Sequence, residues 1–301
     1  MQTLLSLSND LASAVERAAR SVVAVHARPR LPSTGVHWRR GIIVTAEHTV
    51  RVDEEIRVAW AGGRAAPARL VARDPGTDLA VLRIDDSDWP IAEIGDPARI
   101  GVGHLVLAVG YGPRASWGVV SAVGGPWRTW RGGEVERFLR VDLVLYPGFS
   151  GGPLVDAAGT VAGLVTSGLS RDLELAVPAS TVTRIVDEVL SHGRISRGYI
   201  GLGLQPVVLP EALRHLTPAS SAHALIVVSI EADGPAARAG VMLGDVLITL
   251  AGTPVHDPGD VQGVLAALRG GGAVTASMIR AGAPLELTIT LGERPVRRRS
   301  A

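Results

Sequence analysis

Gly148-Phe149-Ser150-Gly151-Gly152-Pro153-Leu154 is the stretch on which the reading of the fold turns. A serine flanked by glycines can sit on a tight loop whose backbone N–H groups, with no Cβ in the way, converge beside the hydroxyl. Taken alone, the same string is also an ordinary glycine-rich turn between two strands. A strand-to-helix turn would need a helical period straight after the serine. Instead Pro153 follows, and the alternation through Val155, Gly159 and Val165 continues as strands.

Outward from this loop the pattern is β. Short apolar runs cut by turn residues occupy 22–25, 41–45, 56–59, 69–71, 79–84, 105–109, 118–123, 138–145, 154–155, 161–166 and 173–177. About eleven strands over about 160 residues, with 36 Gly and 19 Pro in the chain for turns, describe a β-barrel or a pair of them. A parallel α/β sheet would need crossover helices after most strands, and these are missing. Before the strands, Asn9 or Asp10 can cap a helix through Arg20 with Leu11, Val15 and Ala19 on one face, which reads as a lid or an oligomer contact. After them, 178–192 is helical, with Val182, Ile185, Val186, Val189 and Leu190 on one stripe and Gly193 as the stop. Strands at 200–208, 224–230, 246–250, 274–279 and 285–291, with helices at 235–239 and 260–268, then form a small mixed module. The expected division is a helical segment (1–20), a barrel domain (21–192), a linker (193–198), a mixed module (199–295) and a basic tail (296–301).

Composition narrows the function. With 301 residues and 47% hydrophobic content, two real cores can form. Thirty basic residues, all arginine, nearly cancel 29 acidic ones, so no broad positive field makes nucleic acid the default partner. The absence of cysteine excludes disulfides and thiolate chemistry, and the eight histidines lack the short spacing of a metal pair, so neither metal nor cofactor is expected. Residues 1–15 lack a basic start and a long apolar stretch, and no run approaches the ~18 apolar residues of a membrane span. The expected compartment is cytoplasmic as written, or periplasmic with a longer N-terminus.

A serine hydroxyl is inert near neutral pH unless a base takes its proton. The candidate base is His48, just past the apolar strand that ends near Thr45, and the candidate orienting acid is Asp78, between the Pro75-Gly76 turn and an apolar strand. A turn-closing role for Asp78 is equally open on its own spacing.

These residues carry a resemblance. The order His48, Asp78, Ser150 and the strings Thr45 to Val50, Asp78 to Leu82 (D-L-A-V-L), Gly118 to Val123 and Gly148 to Leu154 resemble the HtrA (Deg) family of trypsin-like serine proteases with a C-terminal PDZ domain. Arg197-Gly198-Tyr199-Ile200-Gly201-Leu202 and Ala239-Gly240-Val241-Met242-Leu243-Gly244-Asp245-Val246 are similar to that family's PDZ signatures. The resemblance implies a chymotrypsin-like pair of six-stranded β-barrels followed by an α+β PDZ domain. It implies a serine endopeptidase acting on unfolded or misfolded polypeptides, with peptide C-termini as PDZ ligands and a trimer as the assembly. Ser150 would be the nucleophile, His48 the base, Asp78 its partner, and the loop of Gly148, Phe149 and Ser150 the oxyanion hole.

Val144, six residues before the nucleophile, would lie at the base of the S1 pocket, with Val165, Thr166 and Ser167 as the other wall. With no carboxylate there, a small or medium apolar P1 residue is expected. In the second module, a peptide C-terminus would add as a strand beside 201–205, its carboxylate captured by amides from Tyr199, Ile200, Gly201 and Leu202. The facing helix offers Val261, Val264, Leu265 and Leu268. Phe149 stands where the family has asparagine, and Glu47, beside His48, would raise the imidazole pKa if it pointed inward. Two rivals follow: an esterase elbow, opposed by the strands after Pro153 and by acid and base preceding the serine, and a protease-fold chaperone or peptide-binding protein without turnover.

Overall fold

The computed structural model describes residues 2–85, 88–112, 114–129, 131–170, 172–192, 198–266, 268 and 271–292. The chain divides into two compact units near residue 195.

In the first unit, β1 (Val22–His26), β2 (Ser33–Arg39), β3 (Ile42–Ala46), β4 (Ile56–Trp60), β5 (Ala65–Asp74) and β6 (Leu79–Arg83) close an antiparallel barrel in the order β1-β2-β3-β6-β5-β4. A second barrel uses β7 (Leu105–Gly110), β8 (Arg114–Val123), β11 (Leu139–Asp142), β12 (Pro153–Asp156), β13 (Val161–Thr166) and β14 (Leu175–Pro178), in the order β11-β14-β13-β12-β7-β8. Between β8 and β11 lies a small hairpin of β9 (Trp127–Arg128) and β10 (Glu134–Val135).

The continuous apolar runs follow from burial on both faces. In β3, Ile43 points into the first barrel with Val23, Val25, Val58 and Leu82, while Ile42 and Val44 point out against the second. There Val36, Trp38 and Val81 meet Leu107, Val109, Val155 and Leu164 in a shared core between the barrels. Side chains alternate along a strand, so such a strand must be apolar at nearly every position.

β2 is a strand that the hydrophobic pattern does not predict, because three of its buried residues are polar: Ser33, Thr34 and His37. Each has partners. His37 Nδ1 lies 3.1 Å from the Pro90 carbonyl and Nε2 accepts the Gly41 N–H at 3.1 Å. That pairing fixes the neutral Nδ1–H tautomer. Desolvation, only partly offset by the backbone carbonyls of Pro90 and Trp89, lowers the imidazole pKa. The unfolded chain therefore takes up the proton first, and the His37 contribution to stability is complete above about pH 6.5 and lost as pH falls below it. In paired urea titrations, His37→Asn is expected to be less stable than wild type at about pH 7.5, with the gap narrowing toward about pH 5. A constant gap would contradict this assignment.

Both flanking helices differ from the sequence reading at their ends. α1 runs Gln2–Ala19, so Asn9 and Asp10 lie within it and cap nothing. Leu11, Val15 and Ala19 do lie on the face packed against the core, around the buried Ala14 and Ala18. The helix docks on the second barrel, where Arg17 donates to the Ala158 carbonyl at 2.7 Å and 3.0 Å, so it is packed in place and is no lid. α2 runs Ala179–His192; Val182, Ile185, Val186 and Val189 are buried, whereas Leu190 faces solvent at 44% exposure. The expected stop at Gly193, the rest of the linker to residue 197, and the tail lie outside the described residues.

The second unit is a sheet in the order β15 (Leu202–Val208), β16 (His223–Ile230), β17 (Val246–Leu250), β19 (Ala273–Arg280), β20 (Ala283–Thr290), with β18 (Thr253–Pro254) paired to β17. Helices α3 (Pro235–Arg238) and α4 (Pro258–Ala266) complete it. Its own core gathers Ile200, Leu225, Leu247, Leu250, Val261, Leu265 and Ile289. Buried Asp245 is held by Arg280 at 2.8 Å, which keeps its carboxyl below the usual carboxylate range.

Candidate active site

Strand register brings the first two candidates together. β3 pairs with β6 so that Ala46 lies opposite Leu79. The chain leaves β3 into a single 3₁₀ turn, Glu47–Thr49, directly beside the residue before β6, which is Asp78. The Glu47 N–H donates to the Asp78 carbonyl at 3.0 Å and the His48 N–H to Asp78 Oδ1 at 2.9 Å. His48 Nδ1 meets Asp78 Oδ2 at 2.8 Å. An ionised carboxylate only accepts, so Nδ1 carries the proton and Nε2 keeps a free lone pair, the form a general base needs.

Asp78 is almost fully buried and has φ +57°, a left-handed conformation that aspartate tolerates better than most residues. The turn before it is tied off by Asp74, whose carboxylate accepts from the Gly76 N–H and the Thr77 hydroxyl. Turn closure therefore belongs to Asp74, leaving the Asp78 side chain to His48 and to the Thr166 hydroxyl, which also donates to Oδ2. Glu47 turns away from the imidazole, to Arg73 at 3.3 Å, so the inward-pointing arrangement does not arise.

Ser150 arrives from the second barrel. Beyond Ser150 the chain pairs with β13 through Gly151 N–H to Val165 O and Val165 N–H to Gly152 O, both 2.9 Å, which sets Ser150 beside residues 166–168. Its Oγ lies 3.2 Å from Ser167 Oγ and accepts from the Ser167 N–H at 3.4 Å, in place of a bond to His48. The segment 166–168 joins the three candidates: Thr166 bonds Asp78, Ser167 bonds Ser150, and Gly168 lies against the imidazole and carboxylate. A Cβ at Gly168 would overlap Asp78 Oδ2 and stand 2.7 Å from His48 Nδ1. Nothing in the sequence near Gly168 signals this, because the contact is with residues about a hundred positions away.

The loop itself is held by Thr34, a second residue that sequence reasoning missed. Its hydroxyl donates to the Gly148 carbonyl at 2.6 Å and accepts the Tyr111 N–H at 3.0 Å, and its own N–H donates to Ser150 O at 3.3 Å. Gly151 has φ +88°, and a Cβ there would overlap the Thr34 carbonyl and approach Ala46 N to 2.6 Å, so only glycine fits this crossing between barrels. Phe149 is buried in the second barrel's core, edge-on to Tyr146, and its N–H donates to Tyr146 O at 3.0 Å. That amide is unavailable to a ligand, which corrects its place in the expected oxyanion hole. Among the described residues, the Gly148 and Ser150 amides have no intramolecular acceptor.

The expected S1 residues separate. Val144 is 57% exposed, Val165 is closed into the barrel core, Thr166 is turned to Asp78, and Ser167 faces Ser150. Val165 and Thr166 therefore do not wall a pocket with their side chains. In the second unit, β15 is an edge strand with α4 packed near it. The Tyr199 N–H bonds the Gly292 carbonyl at 3.0 Å and cannot serve a ligand, whereas the Ile200 and Gly201 amides have no intramolecular acceptor among the described residues. Leu202 is the first residue of β15. Val261 and Leu265 are core residues, while Val264 and Leu268 are only partly covered.

Among the described residues no helix is long and apolar enough to cross a membrane. Residues 33–164 match the trypsin-like peptidase domain family, and residues 198–291 match the PDZ domain family. A relative from Rhizobium meliloti (strain 1021), described as a probable periplasmic serine endoprotease DegP-like, is 33% identical over 279 residues, covering 89% of this chain and 54% of its own length. The chain thus spans about half the length of the curated relatives it matches. Among solved structures, an HtrA-type protease AlgW with a tripeptide is 32% identical with a TM-score of 0.67, covering 95% of this chain and 97% of that one. A serine endoprotease from Yersinia pestis is 31% identical with a TM-score of 0.70 and the same coverage. Paired barrels with a histidine and carboxylate joined at their seam, a PDZ unit later in the chain and relatives of this likeness make one assignment: the chain belongs to the HtrA-type family of trypsin-like serine proteases with a PDZ domain.

Proposed function

We propose that the chain is a serine endopeptidase that cleaves unfolded polypeptides through an acyl-enzyme. The observation that carries this reading is the pair of half-buried His48 and buried Asp78, at 2.8 Å, in contact with the segment that also holds Ser150 Oγ. Ser150 Oγ swings from Ser167 to His48 Nε2, which takes its proton as Oγ bonds the scissile carbonyl carbon. His48 gives that proton to the leaving nitrogen as the C–N bond breaks, and water then repeats the sequence in reverse roles to release the acid. The free amides of Gly148 and Ser150 receive the developing oxyanion, each donor contributing about 3 kcal/mol to the barrier reduction. Catalytic contacts are often unmade before substrate binds, so the resting Ser150–Ser167 bond is compatible with this sequence. The rival of a fold without turnover has less support, since Phe149 is accommodated in the core and leaves its two neighbouring amides free.

Ser150→Ala should abolish casein cleavage, and loss of cleavage with retained folding would distinguish it from damage. With apolar Val144 as the exposed residue of the expected S1 site, a peptide library should be cut after Val, Ala or Leu; a preference for Arg would refute the Val144 assignment. The PDZ unit would bind peptide C-termini by strand addition to the free edge of β15, with the Ile200 and Gly201 amides on the carboxylate. Exposed Leu4, Leu5 and Leu7 on α1 offer apolar surface for self-association, a trimer by family likeness. The relatives' names favour a periplasmic site of action over the cytoplasmic expectation.

A further inference from the structure

The nucleophile loop is clamped from outside by one arginine. Arg114 opens β8, and its own N–H donates to the Gly112 carbonyl at 2.7 Å. Its Nε donates to the Tyr111 carbonyl at 3.0 Å, and its Nη1 donates to the Pro147 carbonyl at 3.3 Å. The guanidinium also lies over the Phe149 ring, 5.5 Å from its centre.

The bond to Pro147 decides where the next amide points. A trans peptide is planar, with its C=O and N–H directed oppositely. With the Pro147 oxygen held by Arg114, the Gly148 N–H is aimed away from the arginine, and among the described residues it has no intramolecular acceptor. The following peptide is fixed separately, its Gly148 oxygen on Thr34 and its Phe149 N–H on Tyr146. Gly148 itself has φ +93°, a conformation from which a glycine peptide can rotate at little steric penalty. The orientation of that amide is thus left to the Pro147 oxygen, and Arg114 is the side chain that holds it.

We propose that Arg114 is a positioning residue that keeps the Gly148 amide open for the oxyanion. This rests on Ser150 being the nucleophile. It touches no substrate; it acts through the Pro147–Gly148 peptide. Its planar fork spans two carbonyls and stacks on Phe149, a combination a lysine ammonium cannot reproduce.

The test uses Arg114→Ala and Arg114→Lys in the full chain, with peptide-hydrolysis kinetics, thermal unfolding and a crystal structure of Arg114→Ala. For Arg114→Ala, kcat should fall at least about tenfold, toward the ~10²–10³-fold loss of a missing oxyanion donor, while KM stays within about twofold. The unfolding midpoint should stay within about 2 °C, as for a surface side chain. Arg114→Lys should recover only part of kcat. The crystal structure should show the Pro147 carbonyl rotated from its wild-type direction. Unchanged kcat in Arg114→Ala, a parallel loss of kcat and thermal stability, or an unrotated Pro147 carbonyl would each overturn the proposal. A wild-type protein without turnover would refute the nucleophile reading, and the Pro147 orientation would still decide the role of Arg114.

Discussion

Asp78→Asn is expected to lower kcat about 10⁴-fold while the protein stays folded, the loss that this change produces in a Ser-His-Asp triad. Three donors converge on the Asp78 carboxylate: the His48 N–H on Oδ1, and the His48 ring Nδ1–H and the Thr166 hydroxyl on Oδ2. An asparagine amide offers one acceptor and one donor. If its NH₂ faces the ring, Nδ1 must accept, and the ring proton moves to Nε2, where the lone pair is required to take the serine proton. If its oxygen faces the ring, the NH₂ group opposes the His48 backbone N–H, donor against donor, and pushes the 3₁₀ turn out of place. The backbone is not the cause, since asparagine also tolerates the left-handed φ of +57° at this position. Steady-state kinetics with a thermal melt of each protein check this. A loss smaller than about tenfold would mean that Asp78 does not set the tautomer.

Gly168→Ala is expected to lower kcat about a hundredfold, because about 1 Å of misplacement at a catalytic group has that effect. The backbone at Gly168 is open to alanine, with no positive φ, so the effect comes from contact alone. The added methyl would meet Asp78 Oδ2 and stand 2.7 Å from His48 Nδ1, and both atoms are already fixed by hydrogen bonds. Neither can retreat without lengthening the bond between them. Overpacking at this site should also destabilise the fold by about 1–3 kcal/mol. NMR of the His48 Nδ1 proton would report directly, and an unshifted signal in a fully active variant would contradict the contact.

Much of the fold is legible because its strands are buried on two sides. The runs at β3, β6 and β13 are apolar at all but one position each, and their boundaries lie within a residue or two of those in the structure. β2 is not legible, since its buried Ser33, Thr34 and His37 are satisfied by partners in other strands and loops that no local pattern reveals. The start of α1 is missed for a different reason: Asn9 and Asp10 have the chemistry of caps, but Leu4 and Leu7 carry the helix past them to Gln2.

The same division holds at the site. His48, Asp78 and Ser150 stand in recognisable strings beside strand ends, and strand pairing sets them close. Thr34, Gly168 and Arg114 act through contacts spanning 33 to 120 positions, so only the fold identifies them. Thr166, expected with Val165 and Ser167 in a pocket wall, instead turns its hydroxyl inward to complete the shell of Asp78.

Ser150 must present a hydroxyl that His48 can activate. Treatment of the purified protein with a fluorophosphonate, followed by peptide mass mapping, should yield one adduct, on Ser150, that disappears in Ser150→Ala and forms far more slowly in Asp78→Asn. No adduct on Ser150, even with an unfolded substrate and a PDZ-binding peptide present, would contradict it.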